Sequence, residues 1–141
     1  MKLLIATDGS KNSLHAVQYA VNLLGKVSEP SSITLVSVHD DVAMHHARRF
    51  VGQQAIDEYL HELSEHDVAE TRQLLDSVDI PHDTMIRTGH IASEIAAAAK
   101  EGNYDMIVLG SKGRSSLTDL LIGSVAKRVL ELSPIPVVLV R

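Results

Sequence analysis

Short runs of near-continuous Val, Ile and Leu alternate along this chain with segments whose apolar residues recur every three or four positions. Residues 2–7, KLLIAT, form the first run, and the Asp8-Gly9 pair that closes it reads as a turn after a buried strand. From Ser10, an N-cap residue type, Leu14, Val17, Val21 and Leu24 keep helical spacing up to Gly25, a C-cap type. ITLVSV at 33–38 predicts a second strand, and Ile56, Leu60, Leu63, Leu74 and Val78 predict a long amphipathic helix from about Gln53 to Val78, broken by Pro81. DTMIRTG at 83–89, DMIVLG at 105–110 and PVVLVR at 136–141 read as three further strands. The first two are separated by a helix in IASEIAAAAKEG at 91–102, the last two by one in SVAKRVLEL at 124–132. In residues 39–52, HDDVAMHHARRFVG, no periodicity holds for long, and the expectation there is a mobile loop.

Strands apolar on both sides and joined through helices predict an α/β fold, a doubly wound five-stranded parallel sheet with helices on both faces. A chain of 141 residues suits one continuous core, so residues 1–141 are read as a single domain. At 45% hydrophobic and 22% charged it is too apolar to be disordered. The net charge of −5 argues against the phosphate-backbone binding on which nucleic-acid proteins rely. The lack of cysteine removes disulfides, thiolate metal sites and cysteine nucleophiles together, and is compatible with a reducing compartment. MKLLIATDGS falls short of a signal h-region, and no segment approaches the ~18 apolar residues of a spanning helix, so the expectation is a cytoplasmic protein without membrane insertion.

Candidate chemistry concentrates in GSKGRSSLTDLLIGS, residues 110–124. Gly110 directly follows the apolar run of a predicted strand, and ligands of open parallel sheets sit beyond such carboxyl ends. Glycines there let loop N–H groups face a phosphate with no Cβ in the way, and the next helix N-terminus adds a favourable dipole. Gly110 and Gly113 would shape one wall of an anion site, and Gly123 with Ser124 the other. Glycines after strands are also ordinary turn formers, so their presence alone leaves both readings open. Neither a Walker loop nor G-x-G-x-x-G occurs. Lys112 and Arg114 are the available cationic donors, each equally readable as a solvated loop cation.

The spacing G-x2-G-x9-G-[ST], met in full by Gly110, Gly113, Gly123 and Ser124, resembles the motif of the ATP-binding branch of the universal stress protein family. The resemblance spans the chain, taking in IATDGS, LVSVHD, RTGHIASEI and PIPVVLVR. It implies a sheet of order 3-2-1-4-5 with ATP between the ends of strands one and four, carrying Mg or Mn through its phosphates. It also implies Asp8 on the ribose or a metal-bound water, Val38 meeting the adenine edge through its main chain, and ligand contacts from Thr7, Ser111, Lys112, Arg114 and Val125 beside the motif residues. Ser37 stands where many members carry a His.

Placed acids and bases are scarce. Asp8 is the one carboxylate that the predicted strand ends deliver, and Asp8-Gly9-Ser10-Lys11-Asn12-Ser13 differs from the S-G-G-x-D-S pyrophosphate grip of similar adenylating folds. A nucleotide-dependent sensor or regulatory module in stress response is therefore preferred to a slow ATPase, or to an adaptor of the same fold that needs no nucleotide, with its protein partner unidentified. His39, Asp40, Asp41, His45 and His46 lack regular metal-ligand spacing, and Asp57, His61 and Glu65 share a helix face of the kind usually solvated. His15 and His82 read as surface residues, and His90 as one that at most lines the pocket. In the implied order the last strand is a sheet edge, which points to a homodimer through residues 137–141 that buries Val138 and Val140 or their alternates, Val137 and Leu139.

Overall fold

The computed structural model describes residues 1–113 and 121–141, with backbone alone at 41–44 and 47. Along the chain lie β1 (Lys2–Ala6), α1 (Lys11–Leu24), β2 (Ser32–Asp40), α2 (Asp41–Val51), α3 (Gln53–Asp76), β3 (His82–Gly89), α4 (Ile91–Glu101), β4 (Met106–Gly110), α5 (Ser124–Leu132) and β5 (Val137–Val140). The strands form one sheet, every pair parallel, in the order β3-β2-β1-β4-β5.

Period-two alternation along β1 builds two cores from one strand. Leu3 and Ile5 pack with Val17 of α1 and Leu75 of α3, while Leu4 packs with Ile95 of α4 and Val129 of α5. All three β1 side chains are fully buried, which is why the strand reads as an unbroken apolar run. The alanines of α4 let that helix sit close to the sheet, with Ala92, Ala98 and Ala99 buried. Arg87 on β3 ties the layers together by donating to Glu94 at 3.3 Å and to Glu101, both on α4. The guanidinium holds the Glu101 carboxyl below its ordinary value, and that hydrogen bond raises Arg87 in turn.

Helix α1 begins as its sequence predicts, with Ser10 Oγ accepting from Ser13 N–H at 3.3 Å. Gly25 closes it at φ −63, a right-handed conformation open to any residue. The mobile-loop expectation for 39–52 fails. Strand β2 continues through Asp40, and 41–51 form α2, separated from α3 by Gly52 at φ 82. Ala43, Ala47 and Phe50 do keep helical spacing, but over too few turns and with adjacent His and Arg pairs that obscure it.

At the carboxyl end of β4 the chain passes very near α1. A Cβ on Gly110 would lie 2.8 Å from Asn12 Cβ and 2.9 Å from the Asn12 carbonyl carbon and oxygen. Backbone cannot yield as a side-chain tip can, so Gly110→Ala is expected to cost about 1–3 kcal/mol of stability. Urea unfolding of the two proteins checks it, and an unchanged midpoint would contradict this packing.

Candidate functional site

A cleft of about 390 Å³ opens beyond the carboxyl ends of β1 and β4. Strand order reverses here, because α1 carries the chain from β1 to β2 on one side and α4 returns it across to β4 on the other. Its inner wall is apolar, built by Ala6, Val36 and Val38 from the sheet, Ile91 and Ile95 from α4, and Leu109 and Ala126. Its other end is polar, lined by Thr7, Asp8, Ser13, Lys112, Gly113, Gly123 and Ser124.

Among the described residues, the main chain of the β2 wall beyond Val36 has no strand partner on the cleft side. Thr7 N–H donates to Val36 O at 2.9 Å as β1 runs out, whereas β2 stays paired with β3 as far as Asp40 opposite Gly89. Residues two apart on a strand present their N–H and C=O to the same side. The Val38 pair therefore faces the crevice that β1 has vacated, offering one donor and one acceptor at the apolar end.

The polar end is organised by turns. Asp8 Oδ1 accepts from Ser10 N–H at 3.0 Å, and Oδ2 lies 3.1 Å from where a Cβ of Gly113 would be. Thr7 borders the cleft, but its Oγ1 turns inward, 3.2 Å from Ser13 Oγ and 3.4 Å from Gly9 N. Helix α5 starts at the cleft, its N-cap being Gly123, without a side-chain cap. The N–H groups of Ser124, Val125 and Ala126 then have no partner within the helix, which is the anion-binding arrangement of a helix N-terminus.

Of the expected ligand contacts, Thr7, Asp8, Val38, Gly110, Lys112, Gly113, Gly123, Ser124 and Val125 all line this cleft. Ser111 does not. It is buried behind the loop, its N–H donating to Val140 O and its carbonyl accepting from Gly123 N–H, both at 2.7 Å. Arg114 lies outside the described residues. Ser37, buried on the α3 side 3.5 Å from His39 Nε2, points away from the cleft, so its identity does not touch the apolar end. Sequence reasoning missed the wall of Val36, Ile91, Ile95, Leu109, Ala126, Leu121 and Ile122, although Ile91 and Ile95 sit four apart on one helix face.

The histidines disperse. His39 is buried, 2.6 Å from Ser64 Oγ; His82 bridges Asp76 Oδ1 at 3.0 Å and Ile80 O at 2.9 Å; His15 is exposed. Among the described residues no group of three or more His, Cys, Asp or Glu is placed to hold a metal ion.

The sequence model of the Universal stress protein family matches residues 1–141. The chain belongs to the universal stress protein family. Universal stress protein YxiE of Bacillus subtilis is 31% identical over 145 residues, covering 99% of this chain and 98% of that protein. The solved structure of MJ0577 from Methanocaldococcus jannaschii superposes with a TM-score of 0.85 at 25% identity, covering 99% of this chain and 94% of that one. More distant members with the same fold have been solved in complex with cAMP (TM-score 0.59, 22% identity, 100% and 97% covered) and, from Arabidopsis thaliana, with AMP bound (0.59, 14%, 99% and 90%). No helix among the described residues is long and apolar enough to cross a membrane.

The glycines answer to the protein around them. The missing Cβ of Gly110 faces Asn12, that of Gly113 faces Asp8, and that of Gly123 would lie 3.3 Å from Lys112 Cα and 3.4 Å from Ser111 O. Gly123→Ala is thus expected to push the 111–113 loop off α5, costing about 1 kcal/mol. Hydrogen exchange at the Gly123 amide, which the Ser111 carbonyl holds, should quicken; unchanged protection would show the loop has room to spare.

Proposed function

We propose that this universal stress protein binds an adenine nucleotide, ATP with Mg or Mn on its phosphates, and acts as a nucleotide-dependent sensor or regulatory module. The observation that carries this reading is the two-ended cleft. An apolar slot with one main-chain donor and one acceptor at Val38 suits the edge of adenine, which offers an amino group beside a ring nitrogen. The uncapped α5 N-terminus and Lys112 suit phosphates, each exposed helix-terminus contact being worth about 0.3–1 kcal/mol. Asp8 Oδ2 stands at the polar end beside Gly113, where ribose hydroxyls or a metal-bound water would meet it. The cAMP and AMP complexes of distant members support nucleotide binding as this protein's reading.

Binding is favoured over turnover because, among the described lining residues of the cleft, the titratable side chains are Asp8 and Lys112, and Asp8 Oδ1 is committed to its own turn. Calorimetry with ATP, ADP and GTP, each with magnesium, tests the reading: adenine nucleotides should release heat and GTP should bind at least about tenfold more weakly, since its carbonyl would oppose the Val38 carbonyl. Asp8→Ala should weaken ATP binding by less than Gly123→Val does. Absence of binding by any nucleotide would refute the site, and equal GTP affinity would refute adenine.

The same reading includes a homodimer through 137–141. Among the described residues strand β5 pairs with β4 alone, and Ile107 N donates to Pro136 O while Ser111 N donates to Val140 O. Residues 136, 138 and 140 thus face β4, and the N–H and C=O groups of Val137 and Leu139 face outward, ready for an antiparallel copy. Leu139→Pro removes an outward donor and spares the β4 ladder. Sedimentation at micromolar concentration should show the wild type as a dimer and this variant shifted toward monomer; a monomeric wild type would end the interface.

A further inference from the structure

The nucleotide cleft does not stop at α5. A second depression of about 300 Å³ shares Ile91, Ser124 and Val125 with it, and continues between the starts of α4 and α5 to His90, Arg128 and Asp40. Ser124 and Arg128 are four residues apart, one above the other on the same face of α5. A long helical side chain leans back over the preceding turn, so Arg128 can reach the place where a ligand leaves Ser124. At present Arg128 donates to Glu131 at 2.7 Å, with both side chains about half exposed, 54% and 48%. Such a surface pair is weak and readily exchanged for a better anion. His90 lies across the trough, its Nδ1 3.3 Å from Ser93 Oγ. Asp40 puts a carboxylate on the β2 side, so a phosphate is admitted only along the α4 and α5 side.

We propose that this trough is a terminal-phosphate subsite: the polyphosphate chain crosses the first turn of α5 and its distal phosphate is held by Arg128, with His90 opposite. Arg128 then makes the protein selective for a nucleoside triphosphate over a monophosphate. The inference rests on the first cleft being the nucleotide site. A guanidinium can take two phosphate oxygens at once, a charge-assisted geometry that neither a lysine nor a lone backbone amide reproduces.

Titration of ATP and of AMP, each with magnesium, into the wild type, Arg128→Gln and Glu131→Gln tests it, with thermal melts confirming that the variants fold. The wild type should prefer ATP by about tenfold or more, the range of one charge-assisted pair. Arg128→Gln should erase about that much through ATP alone and leave AMP unchanged, and Glu131→Gln, by freeing the guanidinium, should widen the preference. Equal affinity of the wild type for ATP and AMP, or an ATP preference that survives Arg128→Gln, overturns the subsite while leaving the nucleotide site standing. A wild type that binds neither nucleotide overturns both.

Discussion

At the bond from Thr7 N–H to Val36 O, 2.9 Å long, the central strand makes its last rung with β2. β2 continues to Asp40, still paired on its other side with β3. A parallel sheet leaves no free main chain in its interior, so a ligand can reach backbone groups only where one strand ends before its neighbour. The early end of β1 therefore creates both the crevice and the main-chain pair at Val38 that is proposed to meet adenine. It also delivers the Asp8 turn to the floor of the cleft, opposite the loop that follows β4.

The loop after β4 would be pushed from this seat if its glycines bore side chains, most of all at Gly110. Gly110 admits the first turn of α1, Gly113 admits the Asp8 carboxylate, and Gly123 lets α5 start against the 111–113 backbone. Each contact fixes one edge of the cleft, and Ser111 joins them to the sheet edge. Its N–H and C=O run from Val140 O to Gly123 N–H, a two-bond bridge between β5 and the start of α5. The strand proposed to meet a second copy and the helix proposed to meet phosphate are thereby held by one buried residue.

Much of this was legible in the sequence, for reasons that differ by element. Leu3-Leu4-Ile5 and Ile107-Val108-Leu109 announce strands because both faces of a parallel sheet are buried, and apolar continuity survives in the order of residues. The glycine spacing was legible too, though not its cause, since which atoms oppose a missing Cβ depends on chain segments about a hundred residues away in sequence, such as Asn12 against Gly110. The apolar wall was hidden by its likeness to a core: Ile91 and Ile95 would look the same packed under a helix. The side that Ser37 faces was not legible because a one-residue step on a strand reverses the face, and only the observed pairing places Val38 in the cleft and Ser37 against α3. The outward parity of Val137 and Leu139 was likewise set by which β5 residues bond β4.

The α3 face of the sheet shows how the cleft's floor is kept in place. Near the carboxyl ends its packing turns polar: Thr7, Ser13, Ser37, His39, Ser64, Asp67 and Thr71 are all buried. Ser64 Oγ lies 2.6 Å from both Leu60 O and His39 Nε2, Ser13 Oγ donates to Ser10 O at 2.8 Å, and Thr7 Oγ1 lies 3.5 Å from Asp67 O. A buried hydroxyl left without a partner costs about 1–3 kcal/mol, more than the roughly 1 kcal/mol that a made bond returns. Sliding α3 by one turn would break the two pairings that cross from it to the sheet ends, Ser64 to His39 and Thr7 to Asp67, whereas its apolar contacts through Val68 and Leu75 would tolerate several registers. The polar seam thus selects one seating of α3, and through Thr7 and Ser13 that seating fixes the turn from which Asp8 projects.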